Sequence, residues 1–138
     1  MEFALIFVVF LTLLFGMLQY SFYFWSTQSA ADAARAAARR GAVGQTCSEL
    51  TALSQSTSRL VSSDFTVTRR FYLPSDTTFT TPVAAATGNN VRIVVSYKSV
   101  DLHLPFVPFV HDARVRNTAV ARVENYSTLV PANWSSCG

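Results

Sequence analysis

The spacing of apolar and polar positions divides the chain into three regimes. From Phe3 to Trp25 nearly every residue is apolar or aromatic, interrupted only by Thr12, Gly16, Gln19 and Ser21. A helix over this stretch is about 34 Å long, enough to cross the hydrocarbon core of a bilayer. Tyr20, Tyr23 and Trp25 gather at its far end, as residues that settle at the membrane interface do. Gln28 to Arg40 then becomes alanine-rich, with Ala30, Ala31, Ala33, Ala34, Ala36, Ala37 and Ala38. Alanine is the best helix former, so the two stretches read as one long helix, apolar in its first half and small in its second. Small side chains permit close approach of a partner surface. Asp32, Arg35 and Arg39 mark the solvated side, with Asp32 and Arg35 in reach of each other. Gly41 and Gly44 end or loosen the helix.

A new start follows at once. Thr46, Cys47, Ser48 and Glu49 fit a capping box, with the acid three residues after the cap. Leu50, Leu53, Leu60 and Val61 extend it to a short second helix ending near Ser62. From Phe65 the period is two: Phe65, Val67, Phe71 and Leu73 alternate with Thr66, Thr68, Arg70 and Tyr72. Pro74, Ser75 and Asp76 break the strand, and residues 77–90 form a Thr- and Ala-rich loop closed by a Gly88-Asn89-Asn90 turn. Val91, Ile93, Val95 and Tyr97 make the clearest inward face, opposite Arg92, Ser96 and Lys98. A last strand from about Ala113 to Glu124 points Val115, Ala119, Ala121 and Val123 inward.

The expected fold is therefore α+β: a long N-terminal helix, a short second helix, and an antiparallel sheet of about three strands packed on the helix. Residues 1–27 form the transmembrane half of the helix and residues 28–138 the head. Between the last two strands, Leu104, Phe106, Val107 and Phe109 flank Pro105 and Pro108, which forbid an interior strand. Such an apolar loop is either tucked under the sheet or a surface contact.

At 138 residues the chain has room for one small domain behind the apolar head, which makes it a membrane-anchored domain and not a polytopic protein. A cleavable secretory signal fits poorly: nothing basic precedes Phe3 and the apolar core is too long. Arg35, Arg39 and Arg40 behind the span place the head in the cytoplasm by the positive-inside rule, whereas the cysteines and the β sequence argue for the other side. A basic leader upstream, removed after insertion, would reconcile the two. Cys47 and Cys137 lie at opposite ends of the head, the arrangement of a staple holding down a tail; the alternative is two thiols that never meet.

Candidate chemistry is sparse. His103 and His111 have no acid or cysteine at ligand spacing, and neither a nucleophile elbow nor a phosphate-binding glycine loop occurs. No enzyme, cofactor or metal is expected. Arg114, Arg116 and Arg122 share a strand face, with Arg69, Arg70 and Arg92 nearby. They form either a basic stripe able to meet anionic surfaces or a solvated face that discourages edge pairing. A net charge of +3 gives no reason to expect a specific nucleic acid. Asn125 and Asn133 match the N-glycosylation pattern, which matters only in a host with the machinery.

Glu2 is the odd residue of the apolar stretch. The dipole at a helix N-terminus favours a carboxylate there. Buried in hydrocarbon it would cost about 2.5–3.5 kcal/mol, so it belongs in the headgroups or beside a cation such as an amino terminus. The Glu2-Phe3-Ala4-Leu5 opening and the small-residue run ending Arg39-Arg40-Gly41-Ala42-Val43, together with the segment Asn117 to Glu124, resemble the TadE-like pilins of the Tad (Flp, type IVc) system.

The resemblance implies a structural subunit, pilin or minor pilin, of a surface filament serving adhesion or attachment. Its partners would be copies of itself or related pilins, the cytoplasmic membrane before assembly, and a prepilin peptidase with its assembly machinery. It would be a single-pass cytoplasmic membrane protein first and an extracellular filament subunit afterwards. Glu2 would pair with the amino terminus of a neighbour, with Phe3, Leu5, Phe7, Leu14 and Gly16 in the assembly surface. In the family the glutamate is fifth in the mature chain; here it is second, which fits either a processed or truncated sequence or a branch processed differently. A monomeric, membrane-anchored extracytoplasmic binding module is the other reading of the same residues.

Overall fold

The computed structural model describes residues 2–58, 64–102, 113–124 and 136–138, with Glu2 described by its backbone alone. Five elements follow in order: α1 (Glu2–Gly41), α2 (Cys47–Ser58), β1 (Thr66–Tyr72), β2 (Asn90–Lys98) and β3 (Arg114–Arg122). The strands form one antiparallel sheet in the order β1-β2-β3. The expected α+β architecture holds.

Helix α1 runs unbroken for 40 residues because no proline interrupts it and alanine dominates its second half. It ends where Ala42 N–H donates to Ala38 and both Val43 and Gln45 N–H donate to Arg40. Gly44 supplies the left-handed backbone (φ 86°) that this closure requires. Arg39 and Arg40 sit in the last turn, where the helix dipole favours cations. The capping box forms as expected: Thr46 N–H donates to the Glu49 carboxylate at 2.9 Å, and Glu49 N–H to the Thr46 hydroxyl at 3.3 Å.

The contact face of α2 departs from the expected leucine row. It consists of Leu50, Ser54 and Ser58, one residue per turn, while Leu53 is only half-buried; Leu60 and Val61 lie outside the described residues. The serines fit because their hydroxyls are satisfied locally, Ser54 on Leu50 O at 2.7 Å and Ser58 on Gln55 O at 3.0 Å. Their small size lets α1 come close, and Ser29 of α1 donates to Ser58 O at 2.7 Å.

The core sits between the alanine half of α1 and the inner face of the sheet. Ala30, Ala33, Ala34, Ala37 and Ala38 are buried against a cluster that includes Phe71, Val91, Ile93, Val95, Tyr97, Val115 and Val123. Tyr97 crosses the layer to donate its hydroxyl to Ser26 O at 2.6 Å, and Phe65 stacks on its ring. Burial raises the Tyr97 pKa above the ordinary tyrosine value, partly offset by a hydrogen bond with Ser29.

Strand β1 is flanked on its outer edge by two single-residue bridges. Val83 N–H donates to Phe71 O, and Arg69 exchanges both backbone hydrogen bonds with Cys137. The cysteines are joined, Cys47 to Cys137 with Cα atoms 6.0 Å apart, so the described C-terminal residues are held on the sheet edge. Covered in this way, the edge offers less template for pairing with another chain.

Two positions of β1 and the residue just after it correct the sequence reading. Arg69 takes an inward position between Val67 and Phe71 and is fully buried. Tyr72 is buried on the opposite face, where Phe79 meets it edge-on at 5.3 Å. Leu73 lies beyond the strand and is exposed, because the chain turns at Pro74 before that side chain can reach the core.

Candidate assembly surface

Helix α1 changes surroundings along its length. Gln19, Tyr23, Ser26, Ala30, Ala33 and Ala37 recur at helical spacing and form the side covered by the head, buried except for the half-buried Tyr23. Before Gln19 the large apolar side chains are mostly exposed: Phe3 at 79%, Leu5 at 71%, Phe7 at 47% and Leu14 at 39%. Among the described residues, α1 is the one helix long and apolar enough to cross a membrane. Its uncovered part, Glu2 to Leu18, is about 25 Å long, slightly less than a bilayer core of about 30 Å. A spanning α1 therefore brings the underside of the head down to the interface, level with the exposed Tyr20 and Trp25.

The polar residues of this stretch cost little in lipid because the helix satisfies them itself. Thr12 donates to Val8 O at 2.8 Å, Ser21 to Met17 O at 2.7 Å, Ser26 to Phe22 O at 2.8 Å and Thr27 to Phe24 O at 2.7 Å. Gln19 is too long for that solution and uses the head instead. Its amide donates to Val100 O at 3.0 Å and accepts from Leu102 N–H at 3.1 Å, with the side chain 2% exposed. The lone amide in an apolar run is the sequence signal for this clasp.

The expected assembly residues fall on two sides of α1. Phe3, Phe7 and Leu14, at spacings of four and seven, share the side turned away from the head; the Phe3 and Phe7 rings stack with centroids 6.1 Å apart. Leu5 and Gly16, eleven residues apart, continue the line of the head-covered face. A Cβ on Gly16 would meet nothing within 4 Å, so within one chain the glycine is not required by packing. Gly16 borders a shallow apolar groove with Leu13, Met17, Tyr20 and Phe24. The Glu2 side chain lies outside the described residues, as do Leu104, Phe106, Val107, Phe109, His103, His111, Asn125 and Asn133.

Arg114, Arg116 and Arg122 are exposed on the outer face of β3, and Arg114 is paired with Asp64. Arg70 and Arg92 share that outer face, but Arg69 does not. Arg69 donates to Gln45 O at 2.5 Å and to Cys47 Sγ at 3.6 Å, and its guanidinium lies 5.6 Å from the Phe71 ring centroid. Burial pushes its pKa below the usual arginine value. It ties the α1–α2 connection and the disulfide to β1, a structural role.

The family model described as TadE-like protein matches residues 1–39, which is α1 almost to its end. No curated protein and no solved structure matches the chain.

Proposed function

With the N-terminal segment of a TadE-like protein as premise, we propose that the chain is a structural subunit, pilin or minor pilin, of a Tad-like surface filament that serves attachment. One observation carries this reading beyond the family match. Helix α1 is covered by its own head along one side of its second half, while the stretch from Phe3 to Leu18 is left largely exposed. Each large apolar side chain kept from water is worth about 1.5–3 kcal/mol, so this segment needs lipid or protein around it. Exchanging lipid for protein changes the hydrophobic term little; close packing and polar pairing then decide which is preferred.

In this reading the membrane holds the subunit before assembly and the same surface meets neighbouring α1 helices afterwards. Phe3, Phe7 and Leu14 would pack on one neighbour, and Leu5 with Gly16 on another. Glu2 would pair with the amino terminus of an adjacent subunit, in hydrocarbon-like surroundings where an unpaired carboxylate is disfavoured. No catalytic role is assigned to any residue.

The test is Glu2→Ala in the full chain. Membrane insertion should be unchanged, because the substitution only makes the segment more apolar, and filament yield should fall sharply. Normal filament yield from that variant would remove the pairing.

A further inference from the structure

The outer face of the sheet carries a second feature, remote in character from the apolar helix. Thr68, Arg70, Tyr72, Phe79, Thr80, Arg92 and Arg116 line most of a cavity of about 400 Å³, and among the described residues no carboxylate lines it. Arg70 and Arg92 stand directly opposite each other on β1 and β2. Like charges directly opposite each other destabilise a sheet, a cost that an anion between them would relieve. Arg116 enters from β3.

Two further observations point the same way. The Nε–H of Arg92 is buried and meets no acceptor among the described residues, while the guanidinium is held 5.3 Å from the Phe79 ring centroid. A buried donor of this kind is costly to leave unmet, and an incoming oxyanion would meet it. Phe79 itself has φ 55°, a conformation that a bulky residue rarely adopts. The loop is held in that shape by Asp76, whose carboxylate accepts from Thr80 and Thr81 N–H at 2.9 and 3.0 Å and from the Thr78 hydroxyl. Asp76 is thus engaged with its own loop, and it does not line the cavity.

The geometry points to a binding site for an acidic sugar: a uronate or a sulfated or phosphorylated monosaccharide unit, its oxyanion among Arg70, Arg92 and Arg116. The volume leaves room for more than a bare inorganic anion, being in the range of small-molecule sites. Thr68, Thr80 and Tyr72 supply hydroxyls suited to the hydroxyls of a sugar ring. Single-stranded DNA would want free aromatic platforms for its bases, and here Phe79 is already covered by Tyr72 and Arg92. The site stands apart from α1 and does not depend on filament assembly.

The experiment is calorimetric titration of the full chain in non-ionic detergent with galacturonate, polygalacturonate, neutral galactose and a single-stranded oligonucleotide. Saturable binding of the acidic sugar, absent for galactose, is expected. It should weaken at least tenfold in Arg92→Gln and in Arg116→Gln and stay unchanged in Arg39→Gln, which removes the same charge from α1. Arg116 is exposed at the rim, so its variant keeps the test open should Arg92→Gln fail to fold. Tighter binding per sugar unit for the polymer would identify a polysaccharide as the source, and equal binding a free small ligand; either supports the site. No binding of the acidic sugar, equal binding of galactose, equal loss in Arg39→Gln, or tighter binding of the oligonucleotide would overturn it.

Discussion

The side-chain amide of Gln19 reaches across 81 residues of sequence to donate to the carbonyl of Val100 at 3.0 Å. With the return bond from Leu102 N–H, it fixes the point on α1 at which the head begins to cover the helix. Gln19→Leu leaves both backbone groups without this partner at a buried position. The variant should insert in membranes normally and lose about 1–3 kcal/mol of head stability. Denaturant unfolding in detergent measures the loss, and hydrogen exchange at the Leu102 amide should quicken.

The alanine half of α1 buries Ala30, Ala33, Ala34, Ala37 and Ala38 in the core it shares with the sheet. Ala34 is fully buried in that contact. Ala34→Leu should therefore destabilise the head by about 1–3 kcal/mol through overpacking. Gln28→Ala, at an exposed position of the same helix, should stay within about 0.5 kcal/mol of the parent in the same unfolding assay.

Cys47 and Cys137 close a loop with a sequence separation of 90. Mass spectrometry of the purified chain should show no alkylation before reduction and two alkylated cysteines after it. The double variant Cys47→Ser, Cys137→Ser should lose about 2–4 kcal/mol, since a long loop is freed in the unfolded chain. The loss should appear as a lower denaturant midpoint.

Much of this arrangement could be read in the sequence, and the exceptions share a cause. Strict alternation at Val91, Ile93, Val95 and Tyr97 announced the inner face of β2, and the alanine run announced a close contact, because both are local periodicities. The charge of Arg69 points outward by residue type, while its place in the alternation between Val67 and Phe71 points inward, and the alternation decides. Its burial depends on Gln45 O and the sulfur of Cys47, partners that only the folded chain brings near. Ser54 and Ser58 carry no apolar signal in the sequence, because a serine is buried only once its hydroxyl bonds its own helix. The outer-face cavity needed three strands in register and the 76–82 loop folded back upon them, and none of that is local.

Acid should act at two surface carboxylates. Glu49 is held below the usual carboxylate range by the Thr46 backbone N–H and then its hydroxyl, and Asp76 by the Thr81 N–H first, with Thr78 and Thr80 adding to it. A carboxylate whose pKa is lower folded than unfolded adds stability that is present above the unfolded value and lost as pH falls through the folded one. Stability should thus decline below about pH 4, the unfolded carboxylate range. Glu49→Gln should flatten part of that decline. Midpoints unchanged down to pH 3 would contradict the assignment.

The most direct measurement is the location of the wild-type chain after surface filaments are sheared from cells and the fractions analysed by mass spectrometry. The account predicts the chain within the sheared filaments, as a repeated subunit. A chain found wholly in the membrane fraction as a monomer, from cells that carry filaments, would contradict it.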